Sequence, residues 1–468
     1  SLYFALPHKF RWILLLAASC SFYMAFVPIY ILILGFTIVI DYFAGILIEN
    51  RKGAQRKLYL IFSLIANIGV LCVFKYYNFI NENLSFLCTY LGGSNPIPFL
   101  KILLPIGLSF HTFQAMSYTI EVYRGNQKAE RHFGIYALYV MYYPQLVAGP
   151  IERPQNILHQ FYEKHLFDYQ RVTDGIKLMM WGFFKKVVIA DNMATIANKV
   201  FNNVHAFQGM PLVVGVLAFS IQIFCDFSGY SDIAIGASQV MGIKLMTNFK
   251  RPYLSKSISE FWSRWHISLS SWFKDYLYIP LGGNRVPVPR WYFNLFIVFL
   301  ISGLWHGANW TYIIWGAIHG FYLIFGTISQ PYRTKAAYAI GLYKIPFINN
   351  SINILITFSL AAFAWIFFRA ANFSDAVYVC KNIFHGIHAK QLSQVFSVWE
   401  GGNYTKVAVL VSLMVMFFIH YFQENYGSVR QKIAQQNTIV RWSVYLAAVF
   451  AIILLGAFQN TQFIYFQF

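Results

Sequence analysis

From Trp291 to Tyr332, between Arg290 and Arg333, 42 residues pass without a single Asp, Glu, Lys or Arg. Few folds accept such a run. A helix rises about 1.5 Å per residue, so about 20 residues cross a hydrocarbon core of about 30 Å. This stretch therefore holds two crossings and a turn. Comparable apolar segments lie near 11–27, 28–48, 58–77, 97–122, 133–149, 174–196, 211–226, 230–246, 291–306, 309–328, 350–369, 405–423 and 440–459. Some are short or polar, and about ten to twelve true crossings are expected. Composition points the same way. The chain is 58% hydrophobic and 11% charged, against about 45–50% and about 25% in soluble domains, too few polar side chains to cover a water-facing surface. The expected class is an all-α polytopic membrane protein, one helical membrane domain over residues 1–468.

Polar islands separate the apolar segments at 49–57, 124–132, 152–171, 250–256, 285–290 and 373–404. The net charge of +19, from 36 Lys+Arg and 17 Asp+Glu, comes from basic residues that punctuate the apolar runs and form no hydrophilic domain. That placement fits loop charge facing anionic lipid headgroups and gives no nucleic-acid surface. Arg51, Lys52, Arg56 and Lys57 place their loop on the cytoplasmic side by the positive-inside rule. The five cysteines are dispersed, with no C-x-x-C and no Cys/His cluster, so neither a disulfide framework nor a metal site is expected. The absence of G-x-x-x-x-G-K-[ST], G-x-G-x-x-G and G-x-S-x-G disfavours an ATP-driven pump, a dinucleotide enzyme and a serine hydrolase. Pro105-Ile106-Gly107, Gly149-Pro150 and Phe227-Ser228-Gly229 interrupt apolar runs. Broken helices at membrane depth are tolerated where they are buried or line a cavity, so an internal chamber is expected.

Three segments carry polar chemistry. On one helix from Ser257 to Asn284, residues Ile258, Phe261, Trp262, Trp265, Leu269, Trp272, Phe273 and Tyr276 form an apolar arc. His266 borders that arc, either as an interfacial histidine beside tryptophans or as a functional group. Leu304-Trp305-His306-Gly307-Ala308-Asn309-Trp310 stands inside the uncharged run. Polar residues at membrane depth are costly and point to function, although His306 could instead bond a carbonyl across a helix pair. His319 falls about 220° round a continuous helix from His306 and reads as a packing residue. Asp226 and Asp232 lie in apolar sequence, where a carboxylate must be paired, hydrogen-bonded or protonated. Either an Arg or His pairs with them structurally, or one orients a histidine. His111 is a weaker candidate of the same kind. Two membrane-depth histidines without metal spacing or an activated Ser or Cys suit general-base chemistry on a substrate hydroxyl, hence direct acyl transfer between two bound substrates.

PQLVAGPIERPQN (144–156), DFSGYSDIAIG (226–236), EFWSRWHISLSSWFKDYLYIPLGGN (260–284) and SGLWHGANWTYIIWGAIHG (302–320) together resemble the membrane-bound O-acyltransferase family. The similarity is to its bacterial alginate O-acetyltransferase branch, a cousin of the D-alanyl transfer protein of teichoic acid synthesis. The ending QFIYFQF (462–468) also resembles that branch. The resemblance implies a ring of membrane helices around a central funnel, with short re-entrant helices. It implies His306 as the family's catalytic histidine and His266 as the second of its pair. It implies no bound cofactor, with acetyl-CoA as cytoplasmic acyl donor. The implied partners are an extracytoplasmic acetyltransferase protein and a polysaccharide acceptor, at the bacterial inner membrane among its lipids. Numbering starts at Ser1, later than the family pattern, which implies a lost first membrane segment.

Acyl transfer asks for a base, an oxyanion partner and a dry site. The expected base is neutral His306, with His266 positioning or polarising the second substrate, and Asp226 or Asp232 nearby opposing the burial of the base. Asn309, the Trp305 indole N–H or a protonated His266 could meet the oxyanion, and aromatic walls including Trp262 could exclude water. The rival from another class is a polysaccharide or lipid transporter with an intramembrane His proton relay. It calls for inverted repeats with paired broken helices, which the sequence lacks.

Overall fold

A computed structural model describes residues 2–101, 104–386, 399, 402–458 and 463–464. Of the ending QFIYFQF, all but Phe463 and Ile464 lie outside the described residues, as does much of the polar island 373–404. The described residues are helical, without strands. Among the described residues, eight helices are long and apolar enough to cross a membrane. His8–Met24 and Leu108–Arg124, 17 residues each, fall just short of that length, so the number is close to the expected one.

The chain forms two compact units, Ser1–Ile176 with Ala234–Met246, and Lys177–Ile233 with Thr247–Phe468. In the first, α1 (Pro28–Asn50), α2 (Gly53–Tyr90) and α3 (Leu108–Arg124) enclose Asp41. Ser63 Oγ donates to its carboxylate at 2.6 Å and Asn67 Nδ2 at 2.8 Å, so this polar group is satisfied by neighbouring helices. Gly107 begins α3 with φ of 73°, a left-handed conformation that Gly adopts at no steric cost. The expected break at Pro105–Gly107 is therefore present. The segment expected over 133–149 is helical only over Phe133–Met141 (α4), nine residues, too short to cross. Beyond it, buried Glu152 takes hydrogen bonds from the Met246 backbone N–H and, at 3.2 Å, from Asn156 Nδ2. Burial pushes its pKa up to about 7.

The second unit carries the candidate site. Helix α5 (Tyr169–Phe183) runs without interruption through a π-helical stretch, Phe184–Ala190, into α6 (Asp191–Phe201). Helix α7, Met210–Met241, is continuous, so the two segments expected at 211–226 and 230–246 are one helix. The reason is visible at Gly229. A Cβ there would meet the Gly182 carbonyl oxygen at 2.8 Å, so the glycine admits a close backbone approach and does not break the helix.

The expected single helix over 257–284 is also corrected. It consists of α8 (Ile258–Arg264), α9 (Ile267–Phe273) and a π-helical turn, Lys274–Tyr278, and the break falls at His266. Helices α10 (Val288–His306) and α11 (Trp310–Ala339) form a tight hairpin from the uncharged run. Cβ atoms added at Gly303 and Gly316 would meet the Tyr312 and Phe299 carbonyl oxygens at 2.3 Å, small residues that let two membrane helices touch backbone to backbone. Helices α12 (Pro346–Arg369), α13 (Asn403–Tyr426) and α14 (Thr438–Leu455) complete the apolar spans of this unit.

Candidate active site

His306 is the last residue of α10 and is buried. The chain then leaves the helix, because Asn309 caps α11, its Oδ1 accepting from the Thr311 N–H at 3.0 Å. Asn is a favoured N-cap for this reason. The two helices thus end and begin three residues apart, and the His306 imidazole lies where they meet. Its ring centroid is 4.9 Å from Trp305, 5.0 Å from Trp315 and 5.4 Å from Phe368. Gly307 leaves room for Tyr312, whose ring a Cβ would meet at 2.2 Å.

His266 is held by a different device. Its φ of 44° and ψ of 55° are left-handed, and among the described residues only Arg251 shares a positive φ without being glycine. Such a conformation persists only where surroundings impose it, and it points toward a functional role. Here Asn248 imposes it. The Asn248 carbonyl accepts from Ile267 N–H at 2.9 Å, and its Oδ1 accepts from Ser268 N–H at 3.2 Å and Ser268 Oγ at 3.0 Å. A backbone N–H can only donate, so that side-chain atom is the amide oxygen. His266 Nδ1, 3.1 Å from the same oxygen, therefore carries its proton and donates. Nε2 holds the lone pair. His266 is fully buried.

The two histidines share a neighbour. The His266 ring is 6.5 Å from the Trp305 indole and packs edge-on against Phe227 at 4.6 Å. From Trp305 the aromatic file continues through His306 and Trp315 to His319 and Trp262. Trp262 Nε1 donates to His319 Nδ1 at 3.2 Å, and both rings pack on Trp315. His319 is thus a buried packing histidine, and Trp262 serves as its hydrogen-bond donor. Asn309, besides capping α11, donates from Nδ2 to the Ala371 carbonyl at 3.3 Å.

Asp226 and Asp232 are in ion pairs, and the partners are lysines, not the Arg or His expected. Asp226 Oδ1 lies 2.8 Å from Lys186 Nζ, and its Oδ2 accepts from Ile464 N–H at 2.9 Å. Asp232 Oδ2 lies 2.8 Å from Lys185 Nζ, which also donates to Ser228 Oγ at 2.9 Å. The π-helical stretch carries both lysines, a distortion often found at functional sites. Sequence reasoning missed Lys185, Lys186 and Asn248. Two adjacent lysines midway through the apolar stretch 174–196 were the available signal, since buried carboxylates demand compensating charge. His111 lies buried in the first unit, its ring 5.9 Å from Tyr23. Among the described residues no group of His, Cys, Asp and Glu side chains is arranged to hold a metal. A cavity of about 850 Å³ lies in the second unit, lined by Lys185, Asp232 and His420 among others. Neither His266 nor His306 is among its lining residues.

The profile of the membrane-bound O-acyltransferase family, MBOAT, matches residues 127–368. A probable alginate O-acetylase of Pseudomonas aeruginosa is 40% identical over 89% of this chain and 78% of its own length. A peptidoglycan O-acetyltransferase of Helicobacter pylori is 34% identical over 97% of this chain and 91% of its own. A teichoic acid D-alanyltransferase of Streptococcus thermophilus is 30% identical over 56% of this chain and 68% of its own.

Proposed function

This chain belongs to the membrane-bound O-acyltransferase family, a multi-pass membrane enzyme, and from that premise we propose that it moves acetyl groups from acetyl-CoA to the hydroxyls of an extracytoplasmic polysaccharide, across the bacterial inner membrane. One observation carries the reading. Two buried histidines, forty residues apart in sequence, flank one indole in a pocket of aromatic rings. In this reading His306 removes the proton from an acceptor hydroxyl, and the oxygen attacks the thioester carbonyl. The C–S bond breaks, the acetyl ester forms, and the imidazolium returns its proton to the departing thiolate. No metal enters these steps. His266, with its Nδ1 proton committed to Asn248 and a lone pair on Nε2, accepts a hydrogen bond and positions the second substrate. The aromatic file keeps water from the thioester.

Acetylation of a polysaccharide is supported by the names of the alginate and peptidoglycan relatives. The acceptor receives the group directly or through an extracytoplasmic acetyltransferase partner. The test is purified protein in proteoliposomes with labelled acetyl-CoA and candidate polymers, alginate first, with and without a co-expressed partner. Label in an alkali-labile ester on polymer or partner supports the reading. Absence of label, with free acetyl-CoA unconsumed by well-folded protein, refutes the donor.

A further inference from the structure

The two left-handed residues that are not glycine, Arg251 and His266, belong to one structure. The Lys250 N–H donates to the Arg264 carbonyl at 2.9 Å, and the Ile267 N–H donates to the Asn248 carbonyl at 2.9 Å. One residue number rises as the other falls, so the two non-helical segments run antiparallel. Between these bonds the Phe249 ring packs edge-on against Trp265 at 5.2 Å and nearly parallel to His266 at 6.4 Å. The Asn248 side chain ties the His266 end of the pairing. The opposite end is strained. Arg251 precedes Pro252, and a residue before proline favours extended backbone, yet Arg251 has φ of 48° and ψ of 56°. A left-handed residue with a side chain persists only where its surroundings over-determine it.

The hold on that end comes from α13. Glu424, in the last turn of that helix, accepts from Arg251 Nε on Oε2 at 2.6 Å and from Arg264 Nη2 on Oε1 at 2.8 Å. One carboxylate thus grips one residue of each segment. Arg264, the last residue of α8, also donates to Glu260 Oε1 at 2.6 Å, so two cations and two anions close a neutral network. A lone, partly exposed ion pair contributes little. A carboxylate that receives two guanidiniums in short charge-assisted bonds fixes geometry as well. We propose that Glu424 is a positioning residue for acyl transfer: through Arg251 and Arg264 it locks the pairing that carries His266, and so fixes the imidazole beside Trp305. Asn248 and Glu424 then hold the same turn from its two ends. The assignment rests on the role given to His266 under the proposed function.

Amide hydrogen exchange on the full chain in nanodiscs tests the lock without reading activity. Glu424→Gln keeps the side-chain volume and removes the charge, and Arg251→Gln breaks one arm only. In both, the Lys250 and Ile267 amides should exchange at least tenfold faster. Glu424→Asp, which keeps the carboxylate, should stay within about threefold of wild type. The Tyr312 amide, bonded to the Asn309 carbonyl in the α10–α11 hairpin, should not change. Wild-type exchange at Lys250 and Ile267 in Glu424→Gln overturns the lock, as does an equal acceleration at Tyr312, which would be general loosening. Transfer from labelled acetyl-CoA to alginate as probe acceptor then separates the lock from the reading beneath it. Because His266 positions the second substrate, Glu424→Gln should raise the KM for alginate at least tenfold and leave the KM for acetyl-CoA unchanged, and Glu424→Asp should restore it. A slow His266→Ala beside a Glu424→Gln with wild-type kinetics overturns the positioning role and leaves the proposed function standing. A His266→Ala with wild-type kinetics overturns the role of His266 itself, and the positioning role of Glu424 with it.

Discussion

His266 and His306 both pack on the indole of Trp305, at ring separations of 6.5 and 4.9 Å. Each reaches that indole differently: His306 closes a helix whose successor is capped three residues later, while His266 occupies a left-handed turn tied to Asn248. The site is thus built at chain breaks, where side chains can project into the aromatic interior, and each break has its own support.

Asn248→Ala should release the His266 turn. It removes the acceptor for His266 Nδ1, Ser268 N–H and Ser268 Oγ, all buried. An unsatisfied buried donor costs about 1–3 kcal/mol. Transfer rate should fall at least tenfold while detergent-extracted protein stays monodisperse. A fully active Asn248→Ala would mean that the turn does not position His266.

Asn309 separates a cap from an oxyanion donor. Asn309→Asp keeps the acceptor that caps α11 and loses the N–H that bonds Ala371. If the residue is a cap, Asn309→Asp should retain most activity, and Asn309→Ala should lose about 1 kcal/mol of stability. Thermal unfolding and acetyl transfer, measured on both variants, decide. A hundredfold slower yet stable Asn309→Asp would return the residue to the oxyanion role.

Lys185→Met should destabilise more than the double variant Lys185→Met/Asp232→Asn. Removing one partner of a buried ion pair costs about 3–5 kcal/mol, whereas removing both charges is often near neutral. Asp232 is partly exposed, so the lower end applies. The readout is thermal unfolding in detergent, and equal losses in the two variants would contradict a structural pair.

The legible and illegible parts of the site divide along physical lines. His306 was visible because a polar group in an uncharged membrane run stands out locally. The turn at His266 was not, because a left-handed residue inside an amphipathic pattern depends on Asn248, eighteen residues away, and propensity carries no trace of it. Asp226 and Asp232 were visible as carboxylates in apolar sequence, but Lys185 and Lys186 were read as part of an apolar span. Phe227-Ser228-Gly229 looked like a break, yet the same glycine serves close packing against Gly182. The helical membrane class followed from apolar length alone, which is the least context-dependent signal in such a chain.

Glu152 predicts a pH dependence of stability in the first unit. Its carboxyl is raised from 4.5 to about 7 by burial, so the folded state holds the proton more tightly than the unfolded state. The stabilising contribution is complete below about pH 4.5 and is lost as pH rises to about 7. Glu152→Gln should remove that dependence and raise the thermal midpoint above pH 7. A dependence that persists unchanged in Glu152→Gln would assign it to another group.

His306→Ala bears most directly on the mechanism, measured as acetyl-CoA consumption coupled to ester formation in proteoliposomes. Loss of a general base costs about 10²–10⁴-fold, so transfer should fall by at least a hundredfold with monodispersity and thermal midpoint close to wild type. His319→Ala, which removes a buried partner of Trp262, should lower the midpoint and keep turnover. A folded His306→Ala that transfers acetyl at near wild-type rate would contradict His306 as the base.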